Sequence, residues 1–162
     1  MRRDILGQAG SRRQVLLGLA AAGTSLLASR ADARYSEIWS ARQAHDALLA
    51  DDARIIDVRS REEWRNTGVG TGIWPISMHE DLFADRLFAA KALAGGRTVG
   101  LICATGGRSA SVLLALRRAG YPGYVDISEG MLGAKAGPGW IAAGLPVVPL
   151  GTALDSLPPD LA

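Results

Sequence analysis

The chain has 162 residues, 48% of them apolar and 21% charged, with 18 basic and 16 acidic side chains and a single cysteine. Residues 1–33 hold five arginines and two aspartates, so the remaining 129 carry 13 basic against 14 acidic residues. The basic character therefore belongs to the N-terminus and argues against nucleic-acid binding, one cysteine excludes an internal disulfide, and 129 residues suit one domain with a real core.

Within residues 1–33, Arg2, Arg3, Arg12 and Arg13 precede an apolar run from Val15 to Ala28, and Ala31-Asp32-Ala33 is a small-x-small cleavage site. Ser11-Arg12-Arg13-Gln14-Val15-Leu16 resembles a twin-arginine export signal. The run is broken by Gly18, Gly23, Thr24 and Ser25. At about fourteen residues it falls short of the roughly twenty that a spanning helix needs. The expectation is a signal cleaved near Ala33, the twin-arginine machinery as a partner, and a periplasmic product with no stable membrane anchor.

From Ser40 the pattern alternates helix and strand. Ser40-Ala-Arg-Gln43 is a capping box that opens a helix through Ala44, Ala47 and Leu48, and Arg54–Val58 reads as a buried strand. Ser60-Arg-Glu-Glu63 repeats the capping box before a short helix containing Trp64, which makes Glu63 a capping residue. Residues 73–78 form an edge or brief strand because of Pro75. Residues 81–93 form a helix with Leu82, Phe83, Leu87, Phe88 and Ala92 inward, followed by a strand over 98–102, a helix over 108–118 and a last strand over 124–127. The order predicts an α/β fold: a single domain with a mainly parallel central sheet and helices on both faces. The domain is expected over 34–148, with a C-terminal tail over 149–162; the proline- and leucine-rich stretch from Pro146 is expected to pack loosely along the surface.

The chemistry concentrates in Cys103-Ala104-Thr105-Gly106-Gly107-Arg108-Ser109, between the strand ending at Ile102 and the helix that follows. A loop there turns successive N–H groups inward, and the helix N-terminus adds partial positive charge, so an anion is held. The same field lowers a cysteine pKa from about 8.5 into the nucleophilic range. Gly106 and Gly107 permit positive φ and keep side chains out of the way.

These residues resemble the active-site loop of the rhodanese (sulfurtransferase) family, Cys-x-x-Gly-x-Arg-Ser. Four residues separate Cys103 from Arg108, whereas related phosphatases place five there and cradle a phosphate; the shorter ring suits sulfur. Ile56-Asp57-Val58-Arg59 with Glu62-Glu63-Trp64 is similar to the family's first signature, and Gly120-Tyr121 through Val125 with Glu129-Gly130-Met131 and Trp140 to its closing segment. The stretch 68–74 is a weaker match that lacks the family's histidine. The resemblance implies catalytic roles for Cys103 and Arg108 and a persulfide-binding loop of Ala104, Thr105, Gly106, Gly107 and Ser109. It also places Asp57 and Arg59 beside that loop, as supporting residues or as a structural ion pair. Gly130 reads either as a close approach to the pocket or as a turn glycine.

The implied reaction is a double displacement. The Cys103 thiolate takes the outer sulfur of a small anionic donor such as thiosulfate, and a thiol, cyanide or a protein thiol removes it, with no metal and no organic cofactor. Rhodanese loops often carry arginine or lysine directly after the cysteine; Ala104 departs from this and predicts weak use of thiosulfate. Two other readings compete: a non-enzymatic sulfur-carrier or partner-binding module, and a phosphatase or arsenate reductase on the same scaffold, which the short loop opposes. Gly68, Gly70 and Gly72 are too closely spaced for a dinucleotide loop, and His45 and His79 lack metal-ligand spacing. His79 lies just past a strand end and is a lesser candidate to line the pocket.

Overall fold

The computed structural model describes residues 37–162, and the export signal expected over residues 1–33 lies outside them. Five parallel strands make the central sheet in the order β1-β6-β5-β2-β4: β1 (Ile38–Trp39), β2 (Ala53–Asp57), β4 (Trp74–Pro75), β5 (Thr98–Ile102) and β6 (Tyr124–Ile127). A two-stranded antiparallel pair joins β3 (Val69–Gly70) to β7 (Val147–Val148). The helices are α1 (Ala41–Leu49), α2 (Arg61–Thr67), α3 (Phe83–Leu93), α4 (Gly107–Arg118), α5 (Gly139–Ala142) and α6 (Leu150–Asp155). The α/β architecture with a mainly parallel sheet is as expected, and Pro75 does lie in a brief strand at the sheet edge.

Strand alternation builds two cores, one on each face. Ile55, Ile102, Val125 and Ile127 face α1 and Trp140 of α5. Their neighbours Ile56, Leu101 and Tyr124 face Leu87 and Ala90 of α3 and Val112, Leu113 and Leu116 of α4. Both expected capping boxes are formed. The Ser40 hydroxyl accepts from the Gln43 N–H while Gln43 Oε1 accepts from the Ser40 N–H at 2.8 Å. Ser60 and Glu63 repeat the exchange.

Two expectations fail. The inward face of α3 keeps Leu87 and a half-buried Phe83 as expected, but is completed by Ala90 and the following Ala94 rather than by Leu82, Phe88 and Ala92. Leu82 caps the helix in the left-handed region and is 69% exposed, Ala92 is exposed, and Phe88 rests on Tyr121 at the surface, their rings 4.7 Å apart. The stretch from Pro146 is not a loose surface tail either. Its first residues pair with β3, the Pro146 carbonyl accepts from the Thr71 N–H and Trp140 Nε1, and Ala153, Leu157 and Leu161 are buried.

Candidate active site

β5 lies in the middle of the sheet between β2 and β6, so the loop after Ile102 emerges at the carboxyl edge, where parallel sheets build their sites. The helix begins one residue earlier than expected, at Gly107, with Gly106 as its cap at φ +85°. A side chain on Gly106 would run into the Ser128 backbone. On the other side Gly130, at φ +66°, lies against the Ala104–Thr105 peptide, so it is both the turn glycine and the close approach. The next two residues brace the loop: Met131 N–H donates to the Cys103 carbonyl and Leu132 N–H to the Ala104 carbonyl, each at 2.8 Å. Tying these carbonyls to residues 131 and 132 leaves the loop's own N–H groups for the sulfur.

Cys103 is 1% exposed. Burial alone pushes its thiol up; hydrogen bonds from the Ser109 hydroxyl and from the N–H groups of Ser109, Thr105 and Arg108 outweigh this and hold it below the ordinary value. The hydroxyl lies 3.4 Å from Sγ. Ala104 is buried with its carbonyl braced, Gly106 makes the turn, and Thr105 and Gly107 are exposed at the rim.

Arg108 belongs to the same helix turn, and its guanidinium interacts with Cys103. It is also forked onto Glu63: Nη1 donates to Oε2 at 2.8 Å and Nη2 to Oε1 at 2.5 Å. The fork lowers Glu63 to about 2 and raises Arg108 further. Nη1 lies 3.2 Å from His79 Nε2 as well. Glu63 and His79 thus join the site through Arg108. Glu63 escaped sequence reading because its capping role already accounts for it, and nothing local links it to a partner 45 residues away.

Asp57 and Arg59 form an ion pair with each other, both fully buried. Arg59 Nε and Nη2 hold the two Asp57 oxygens, and the other contacts of the guanidinium run to Thr67 Oγ1 at 2.7 Å and the Gly68 carbonyl at 2.8 Å. Asp57 pairs in register with Ile102, one residue before the cysteine, so the pair anchors the strand end and the end of α2. Among the described residues no group of three or more His, Cys, Asp or Glu side chains is placed to hold a metal ion, and no helix is long and apolar enough to cross a membrane.

The model of the rhodanese-like domain matches residues 40–136, more than half of the chain and the whole of the loop and its braces. No curated protein matches. Among solved structures the chain is similar to a protein of Anabaena at 21% identity and TM-score 0.51, covering 72% of this chain and 86% of that one. It is similar to a rhodanese-related protein of Thermoplasma volcanium at 24% identity and TM-score 0.48, covering 70% and 98%. It is also similar to a Rhodopseudomonas palustris protein of unknown function, described as a possible tyrosine phosphatase, at 18% identity and TM-score 0.48, covering 86% and 100%. By the region matched, which spans the strand, the sulfur loop and the segment that braces it, the chain belongs to the family of rhodanese-like domains.

Proposed function

We propose that this protein is an exported sulfurtransferase that carries a sulfane sulfur as a persulfide on Cys103. One observation carries the reading: the Cys103 sulfur is buried within the loop 103–109, 3.4 Å from the Ser109 hydroxyl, and the N–H groups of Thr105, Arg108 and Ser109 join that hydroxyl in favouring its anionic form. Such donors stabilise an anionic sulfur before and after it is loaded, each well-placed one worth about 2.7–4 kcal/mol in comparable acyl-transfer sites.

The thiolate attacks the outer sulfur of a donor such as thiosulfate. A new S–S bond forms to Cys103, the donor's S–S bond breaks, and sulfite leaves with the electron pair. An acceptor (cyanide, a small thiol or a protein thiol) then attacks the outer sulfur, and the thiolate returns. Arg108 orients the anionic donor from the rim. Its charge is largely offset by Glu63, and Ala104 adds none, which favours a less charged persulfide donor, or a partner that brings its own cations, over thiosulfate.

The test is sulfur loading from thiosulfate followed by turnover with cyanide. Thiocyanate production that is lost in Cys103→Ser is expected. Loading without turnover would make the domain a sulfur carrier rather than an enzyme, and absence of both would overturn the reading.

A further inference from the structure

One imidazole stands beside Arg108 with no role in the reaction above. His79 follows the edge strand β4 on a short turn that the sheet fixes. Ile76 N–H donates to the Asp57 carbonyl at 3.0 Å, and Met78 N–H donates to the Val58 carbonyl at 3.2 Å. Ser77, 1% exposed, closes the turn: its Oγ accepts from the His79 N–H at 3.2 Å and its carbonyl from the Glu80 N–H at 3.3 Å. The exposed His79 ring is thereby set against Arg108, with Nε2 3.2 Å from Nη1.

Counting protons fixes the state of that ring. A guanidinium nitrogen only donates, so Nε2 must accept, and the proton of the neutral ring sits on Nδ1. One Nη1 hydrogen goes to Glu63 Oε2 at 2.8 Å, which leaves the other for His79. In this state Arg108, Glu63 and His79 together carry no net charge. Once protonated, His79 has no lone pair left for Arg108, and the same three side chains carry one net positive charge. The other ionisable groups about them are Cys103, which interacts with Arg108, Glu80, which is paired with Arg61 and Arg86, and Asp81, which is exposed.

We propose that His79 determines which sulfur donors the Cys103 site admits. Neutral, it leaves the mouth without net charge, which suits an uncharged or weakly charged persulfide. Protonated, it supplies the cation that Ala104 lacks and admits a small sulfur oxyanion such as thiosulfate. An imidazole ordinarily changes charge between about pH 5 and about pH 8. As pH falls through that window, positive charge appears at the mouth and anionic donors gain; as pH rises the gain is lost. His79 touches no reacting atom in this scheme and acts through its charge and its hold on Arg108.

The inference rests on Cys103 being the nucleophile, and its test uses no sulfur donor. Iodoacetate and iodoacetamide alkylate a thiolate by the same displacement of iodide, but only iodoacetate is an anion. The ratio of their rates cancels the thiolate fraction and reads the charge at the mouth. For one charge about 6 Å away in a mostly aqueous setting, the iodoacetate-to-iodoacetamide ratio of the natural protein should rise roughly threefold to tenfold as pH falls from about 8 to about 5.5. Added salt should shrink the rise. His79→Gln keeps an acceptor for Arg108 but cannot ionise, so its ratio stays low and flat; His79→Lys stays charged, so its ratio stays high and flat. A Gln profile that rises like the natural one, or a Lys ratio no higher than that of Gln, overturns the proposal. Heteronuclear NMR of the imidazole nitrogens is the second readout, with His79 told apart from His45, the other histidine of the chain, by its loss in His79→Gln. Neutral His79 is expected as the Nδ1–H tautomer, and the Nε2–H tautomer would also overturn the proposal. Failure of sulfur transfer with these results intact refutes the proposed function and leaves the charge role of His79 standing.

Discussion

Glu63 caps α2 through the Ser60 N–H and holds Arg108 with both carboxylate oxygens, so one side chain couples a helix start to the sulfur loop. Its pKa is depressed, chiefly by Arg108, from an ordinary 4.5 to about 2. The stabilisation is therefore present above about pH 4.5 and is lost as pH falls through about 2. Glu63→Gln keeps the shape and removes the charge. It is expected to flatten the fall in Tm between those pH values, and to lower KM for thiosulfate several-fold at low ionic strength by freeing the Arg108 charge, a gain that shrinks with added salt. Thermal unfolding against pH and steady-state kinetics check the two halves; an unchanged KM at every salt concentration would mean that Glu63 does not mask Arg108. Cys103, Arg108 and Ser109 were legible because they share one local motif. Glu63 was not, since its role arises only when a distant element brings it to Arg108.

At the scale of elements, signals that act within a few residues read cleanly. Two capping boxes fixed the starts of α1 and α2, and buried runs marked β2, β5 and β6. Helix α3 was misread by size. Phe83, half-buried, and Leu87 do face inward as read, but the stripe continues through the small Ala90 and Ala94 against the sheet, while Phe88 finds Tyr121 outside. The C-terminal stretch shows no periodicity long enough to announce a six-residue helix and a short 3-10 turn. Its contribution is nonetheless tertiary: Leu161 is fully buried beside α3, and its carbonyl accepts from Arg86 Nε at 3.1 Å. Leu161→Ala is expected to cost about 2–5 kcal/mol in denaturant unfolding, as for other large-to-small core changes. A loss below about 0.5 kcal/mol, typical of surface sites, would mean that the tail does not hold the core.

For the whole molecule, the parallel sheet brings the end of β5, the bracing segment 130–132 and the start of α4 to one edge, and this convergence holds the buried Cys103 thiol below its ordinary pKa. Export is the proposed setting, and replacing Arg12 and Arg13 together by lysine should leave the precursor in the cytoplasm on fractionation. A mature form beginning at Arg34 that still appears outside the cytoplasm would point to the general secretory route. In the proposed exported setting the loop 103–109 holds sulfur as a persulfide on Cys103. The measurement nearest to it is the mass of the mature protein, and of its Cys103 peptide, after treatment with thiosulfate or a small persulfide. A gain of one sulfur atom on Cys103, reversed by cyanide and absent from Cys103→Ser, is expected. An unchanged mass with either donor, or equal loading of the serine variant, would contradict it.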